Sequence, residues 1–339
     1  MKKKFGNLHS GGEASLYTIE NGGITAEITD LGATLVSLWV PDANGSLADV
    51  VLGFDDPNCY VSSGSFLGAT VGRNANRLGN AECAISGKRC ALTPNENGNN
   101  LHSGPDFYKN RLWTLENQTA SELTLSLNSP DWDQGFPGNA IIRVTYSLDG
   151  QGGLHIRYWA KADRDTVFNM TNHSYFNLAG HQFPEKAVRQ VLSMPARHFC
   201  PDDAQNIPTG ELREVAGTPM DFRAPKPIAQ DLSADYEPLR LQGGYDHNWE
   251  VFCNPCATLS DPESGRTMSV YTDCPGIQFY SGNYLDEDGK GGIHYGAHSG
   301  MALETQFYPD CLHKPQWAQP VIRAGAVYQS ETVYRFSTK

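Results

Sequence analysis

No apolar stretch in these 339 residues is long enough to cross a bilayer, and no apolar segment of the secretory type follows the lysines at positions 2 to 4. The expectation is a soluble, cytoplasmic protein. Positive charge is scarce: 26 Lys and Arg face 38 Asp and Glu, for a net charge of −12. That balance argues against nucleic acid or an anionic membrane as partner. No G-x-G-x-x-G joins a strand to a helix and no P-loop is present, which sets nucleotide binding aside. Cys253 and Cys256 form a C-x-x-C without a second pair or a thioredoxin context, so neither a zinc site nor a redox motif is expected. The scattered cysteines read as free thiols. Lys290 and the glycines around it break the calcium-like run Asp286-Glu287-Asp288-Gly289. Asn169 and Asn172 both head N-x-S/T sequons, which suits a chain that never meets the glycosylation machinery.

Helical periodicity is also missing. No long window repeats its apolar residues every 3.6 positions, and only short helices are expected, near Pro201–Gln205 and Pro227–Ser233. What is present is turn punctuation every 8 to 12 residues by Gly, Asn, Asp, Ser and Pro. Between the turns lie short runs rich in β-branched and aromatic residues. Leu35–Val40, Leu123–Leu127, Ala140–Tyr146, Leu154–Trp159, Met268–Tyr271, Ile277–Tyr280, Met301–Phe307 and Thr332–Phe336 read as strands. The fold class is therefore all-β, a large sandwich or barrel. With no repeat, linker or charge block, residues 1–339 are expected to form one domain.

The stretch Val167–Gly180 stands out. As a regular strand it would place Val167, Asn169, Thr171, His173, Tyr175 and Asn177 on one face. Phe168, Met170, Asn172, Ser174, Phe176 and Leu178 would form the other. A polar face centred on one imidazole suits a hydroxyl-rich ligand, and equally a solvated outer surface. Five further segments share its character. Val71–Leu78 carries Arg73, Asn74, Asn76 and Arg77 behind Gly72, and Asn99–Gly104 carries His102. Gly243–Trp249 presents Asp246 after two glycines. Pro275–Asn283 sets Gln278 and Tyr280 on one face, and Met301–Pro309 sets Glu304 and Gln306 on a polar face backed by apolar residues. Amides, imidazoles, carboxylates and guanidinium with aromatic rings nearby suit a neutral polyol.

These motifs, in order, resemble the aldose 1-epimerase (galactose mutarotase) family: Gly72-Arg-Asn-Ala-Asn-Arg-Leu, Asn100-Leu-His-Ser-Gly, Thr171-Asn-His-Ser-Tyr-Phe-Asn-Leu, Gly244-Tyr-Asp-His-Asn, Gln278-Phe-Tyr-Ser-Gly-Asn and Leu303-Glu-Thr-Gln. The resemblance implies a large antiparallel β-supersandwich with the sugar in an open cleft. It implies His173 as general acid and Glu304 as general base. It implies Asn76, Arg77, His102, Asp246 and Gln278 as sugar-holding residues, with Ser174 and Tyr175 beside the acid. It leaves open whether Arg73 and the segment Thr218–Arg223 face the sugar.

The implied reaction interconverts α and β anomers of a free hexose such as glucose or galactose. The ring opens, the C1–C2 bond turns and the ring recloses, by acid and base catalysis that needs no metal or cofactor. An ionised Glu304 would accept the C1 hydroxyl proton. A His173 whose protonated fraction is raised by a neighbour such as Asp246 would donate to the ring oxygen. The partner is thus a small aldose, and the chain itself a monomer or homodimer. Two alternatives remain. A hexose-6-phosphate epimerase would want more cations than Arg73 and Arg77. A non-catalytic sugar-binding protein would be expected to have lost His173 or Glu304.

Overall fold

The computed structural model describes residues 1–339. Its largest sheet has nine strands in the order Thr114–Gln118, Glu122–Ser129, Ala140–Leu148, Gly153–Ala162, Val327–Thr338, Arg266–Thr272, Ala257–Ser260, Val191–Ser193 and Lys226–Pro227. Strict alternation builds it. Ile142, Val144 and Tyr146, then Leu154, Ile156 and Tyr158, are buried, while the residues between them are half-buried or exposed. The closing strand Val327–Thr338 pairs with Gly153–Ala162 on one side and Arg266–Thr272 on the other, so the end of the chain locks the centre of the sheet.

A six-stranded sheet lies across the same core, in the order Tyr175–Phe176, Met301–Gln306, Gly276–Tyr280, Asp246–Glu250, His198–Cys200 and Arg213–Glu214. Its inner face sends Trp249, Ile277, Phe279, Met301 and Leu303 into a cluster of 54 buried apolar residues shared with the large sheet. The Thr305 hydroxyl meets that of Thr332 across this boundary. The outer face of the same sheet carries the polar groups. A five-stranded meander, Lys2–Asn7 to Leu47–Asp49, completes the architecture and packs over a second cluster that includes Leu52, Tyr175 and Ala302. This is the all-β, antiparallel layered arrangement expected from the sequence.

Helices are few and short, and the two α-helices fall elsewhere than the sequence suggests. Pro57–Ser62 starts with proline in its first turn, and the Asp56 carboxylate accepts from the Asn58 N–H at 2.8 Å. Glu237–Gln242 ends on Gly243 at φ 66°, the left-handed stop that glycine adopts without penalty. Pro201–Gln205 is not helical, because the Asp203 carboxylate instead accepts from the backbone of Gln205 and Ile207 and folds the segment into a turn. Of Pro227–Ser233 only Ile228–Gln230 makes a single 3₁₀ turn. No helix is long and apolar enough to cross a membrane.

Val167–Gly180 is not one regular strand. It is three two-residue pieces with three different partners: Thr166–Val167 beside Val321–Ile322, Thr171–Asn172 beside Thr70–Val71, and Tyr175–Phe176 beside Met301–Ala302. The Asn172 carboxamide oxygen accepts from both the N–H and the hydroxyl of Ser174, which redirects the chain at His173. The segment thereby bridges the six-stranded sheet to the loop that carries the arginines.

Candidate active site

Two rows of side chains on the outer face of the six-stranded sheet lie under a cavity of about 450 Å³, whose lining takes Glu304, Tyr175, Tyr280 and Asp246 from them. In one row Glu304 pairs with Gln278, which pairs with Asn248. In the next, Tyr175, Ala302, Tyr280 and Asp246 lie side by side. On the strands Asp246–Glu250, Gly276–Tyr280 and Met301–Gln306 the even-numbered residues point outward because Trp249, Ile277, Phe279, Met301 and Leu303 between them fill the core, and Tyr175 joins this face because its neighbour Phe176 takes the core side. The wall opposite comes from two loops, locked together where Arg77–Leu78 pairs with Asn100–Leu101. There Asn76 and His102 both have positive φ, 62° and 53°, and each donates its backbone N–H to the other: His102 to the Asn76 carbonyl, Asn76 to the His102 ring Nδ1, both at 3.1 Å.

His173 is fixed by its backbone, which donates to Ala69 and accepts from Gly68. Its Nε2 lies 3.5 Å from Glu304 Oε1, a contact longer than a good hydrogen bond. Both groups are nearly inaccessible, at 6% and 2% exposure, and both retain a buried atom without a partner: Nδ1 of His173 and Oε2 of Glu304. Rings enclose the imidazole. Tyr175, His102 and Phe66 lie with centroids 5.1, 5.4 and 5.9 Å away.

Burial pushes His173 down to about 4. It pushes the Glu304 carboxyl up, with help from the nearby Asp246 charge and against the pull of Arg77. Burial thus presses both members of the pair toward their neutral forms. The expected assistance from Asp246 to a charged His173 is not what the structure shows. Asp246 instead accepts from Gln278 Nε2 at 2.7 Å and faces Arg77 Nη1 at 3.5 Å. Burial also holds His102 neutral, and a proton taken up on His173 or the standing charge of Arg77 adds to the effect. Because its Nδ1 accepts from Asn76, the ring proton resides on Nε2 and is available for donation.

Asn76, Arg77, His102, His173, Tyr175, Asp246 and Glu304 all line this cavity. Gln278 and Ser174 do not. Gln278 lies beneath the lining and orients Asp246, while Gln306 Nε2 approaches its carbonyl at 3.4 Å. Ser174 is turned away, its hydroxyl committed to Asn172 at 2.6 Å, so a direct ligand contact from that side chain does not fit the geometry. Arg73 faces the interior and spends its donors on the Ser129 and Thr166 hydroxyls and on carbonyls that include Pro130, Pro137 and Gly138. In Thr218–Arg223, the Pro219 carbonyl accepts from the Tyr245 hydroxyl and the Met220 carbonyl from Trp249, well inside the fold. Phe66, Glu96, Tyr280 and Tyr284 also line the cavity. Of these only Tyr280 was visible as a polar-face strand residue. The loop residues carried no periodic signal.

The chain as a whole has relatives among known proteins. The family model for aldose 1-epimerase matches residues 15–335. This chain belongs to the aldose 1-epimerase family. It is 37% identical over 324 residues to the aldose 1-epimerase of Escherichia coli K12, covering 93% of both chains. It is 38% identical over 343 residues to the human galactose mutarotase, covering 98% of this chain and 97% of that one. Among solved structures, a GalM/aldose epimerase homologue from C. elegans superposes with a TM-score of 0.89 at 32% identity, covering 96% of this chain and 99% of that one. A galactose 1-epimerase from Lactobacillus acidophilus does so at 0.87 and 27% identity, covering 100% and 98%. The chain is thus an isomerase of the aldose 1-epimerase type, with the galactose mutarotase fold.

Proposed function

We propose that His173 and Glu304 are the proton-transfer pair of this epimerase and that its substrate is a free hexose, galactose or glucose. The observation that carries the reading is the buried contact between His173 Nε2 and Glu304 Oε1 at 3.5 Å, at the floor of the one cavity into which the family motifs converge. Ring opening takes a proton from the C1 hydroxyl and supplies one to the ring oxygen, and both oxygens are bonded to the same carbon. Two groups this close serve both atoms of one bound sugar. When the substrate's hydroxyls enter, they satisfy the idle atoms of both groups and stabilise the proton on His173, leaving Glu304 as the base. Reclosure from the other carbonyl face runs the transfers backwards. His102 Nε2–H and the Arg77 guanidinium supply donors where negative charge builds on oxygen. Asp246, held by Gln278, and Asn76 accept and donate to ring hydroxyls, and Tyr175 presents a ring for C–H contact.

A phosphorylated hexose fits less well. Arg77 is the single Lys or Arg among the lining residues, and it is already paired with Glu96 and Asp246. Asp286 and Glu287 add negative charge at the rim. All eight cysteines are free, which accords with a cytoplasmic protein. Polarimetry on freshly dissolved α-galactose and α-glucose tests the assignment. Glu304→Gln and His173→Asn are each expected to lose about 100-fold or more in kcat. Wild-type turnover in a purified, folded Glu304→Gln enzyme overturns it.

A further inference from the structure

Glu96 lies on the loop before the His102 motif and has no part in the chemistry described so far. Its carboxylate grips Arg77 along one edge of the guanidinium, with Nε donating to Oε2 at 2.6 Å and Nη2 to Oε1 at 3.1 Å. The loop that bears it is itself braced. Glu96 and Asn99 exchange backbone hydrogen bonds, and the Asn95 carboxamide both donates to and accepts from the backbone of Leu101, next to His102. A guanidinium has a planar fork of five donors, so fixing the Nε–Nη2 edge fixes the plane and leaves Nη1 to face Asp246 and the cavity.

We propose that Glu96 is a positioning residue that sets the orientation and offsets the charge of Arg77, and through it tunes the Glu304 base. The inference rests on the reading of Glu304 as base. The charged and titratable groups around Arg77 are Glu96, Asp246, Asp202, Glu304, His102, His247 and Tyr280. Removing the Glu96 charge leaves the arginine less compensated. An uncompensated cation favours ionised Glu304, which then gives up its proton at lower pH.

The test is Glu96→Gln in the full chain, assayed by polarimetry with α-galactose from pH 4 to 9. Glutamine keeps the size and removes the charge. The expected result is a fall in kcat/KM of up to about 100-fold, borne mostly by KM, with the alkaline limb of the pH profile displaced to lower pH. A structural role alone would lower activity without moving the limb. In an Arg77→Met background, adding Glu96→Gln is expected to cost almost nothing further. Unchanged KM and an unmoved limb in Glu96→Gln, or the same loss in both backgrounds, overturns the proposal. Because Glu304→Gln is assayed separately, failure of this inference is distinguishable from failure of the base assignment.

Discussion

At the scale of single residues, burial sets the chemistry. His173 and Glu304 would both be charged in water near pH 6, yet here each is pressed toward its neutral form. As the proposed acid and base, the pair works with one proton between its members and fails in two ways: when a second proton is added and when the only one is lost. The first loss falls near pH 4, where His173 takes up its proton while Glu304 keeps its own. The second lies above the ordinary carboxylate range. The kcat/KM profile is therefore expected to be bell-shaped, with its acid limb near pH 4 and not near 6.5. An acid limb at the ordinary histidine value would mean that the ring is solvated when sugar is absent. The sequence singles out both groups because they stand in motifs. Their charge states were not legible there, because Asp246 was expected to help His173 and is occupied by Gln278 and Arg77.

At the scale of elements, long regular strands were legible and short irregular ones were not. Ala140–Tyr146 and Met301–Phe307 match Ala140–Leu148 and Met301–Gln306 closely, since alternation continues across them. The stretch around His173 shows the same alternation on paper, but a side-chain hydrogen bond between Ser174 and Asn172 breaks the pleat, and pattern alone cannot register such a bond. Loop residues escape for a related reason. Phe66 packs 4.8 Å from the His102 ring, and it does so because the segment leading into it is clamped twice. Ser63 and Ser65 both donate to Glu287 at 2.6 Å, and Lys109 Nζ donates to the carbonyls of Tyr60, Val61 and Ser63 at the end of the Pro57–Ser62 helix. Lys109→Met removes the latter clamp and leaves those carbonyls unpaired. A loss of about 2–4 kcal/mol in urea unfolding is expected, with a raised KM as Phe66 leaves the histidines. An unchanged KM at reduced stability would separate the clamp from the site.

At the scale of the whole molecule, acid sensitivity follows from how many imidazoles the core keeps neutral. His102, His173 and His247 are all buried and all pushed down, His173 to about 4 and His247 to about 3. In the unfolded chain each titrates near 6.5. Between that value and the folded one, the unfolded state binds the extra proton, so each histidine lowers stability as pH falls. Two effects run the other way. Glu304 and Asp202 have folded values raised by burial and so bind protons in the native state first. The net charge of −12 also relaxes toward zero on acidification. A raw stability curve mixes these contributions, and a difference isolates one. His247 serves because it lies outside the cavity lining, with Nδ1 accepting from the Asp246 N–H and Nε2 unpartnered. Asparagine places an acceptor near the same point but cannot titrate. Urea unfolding of wild type and His247→Asn at pH 7, 6, 5 and 4 is expected to give curves that converge on the acid side. The wild type should lose up to about 1.4 kcal/mol more per pH unit below 6.5 than the variant does. Parallel curves would show that His247 titrates alike in both states, and the acid sensitivity would then belong to the two histidines of the cavity.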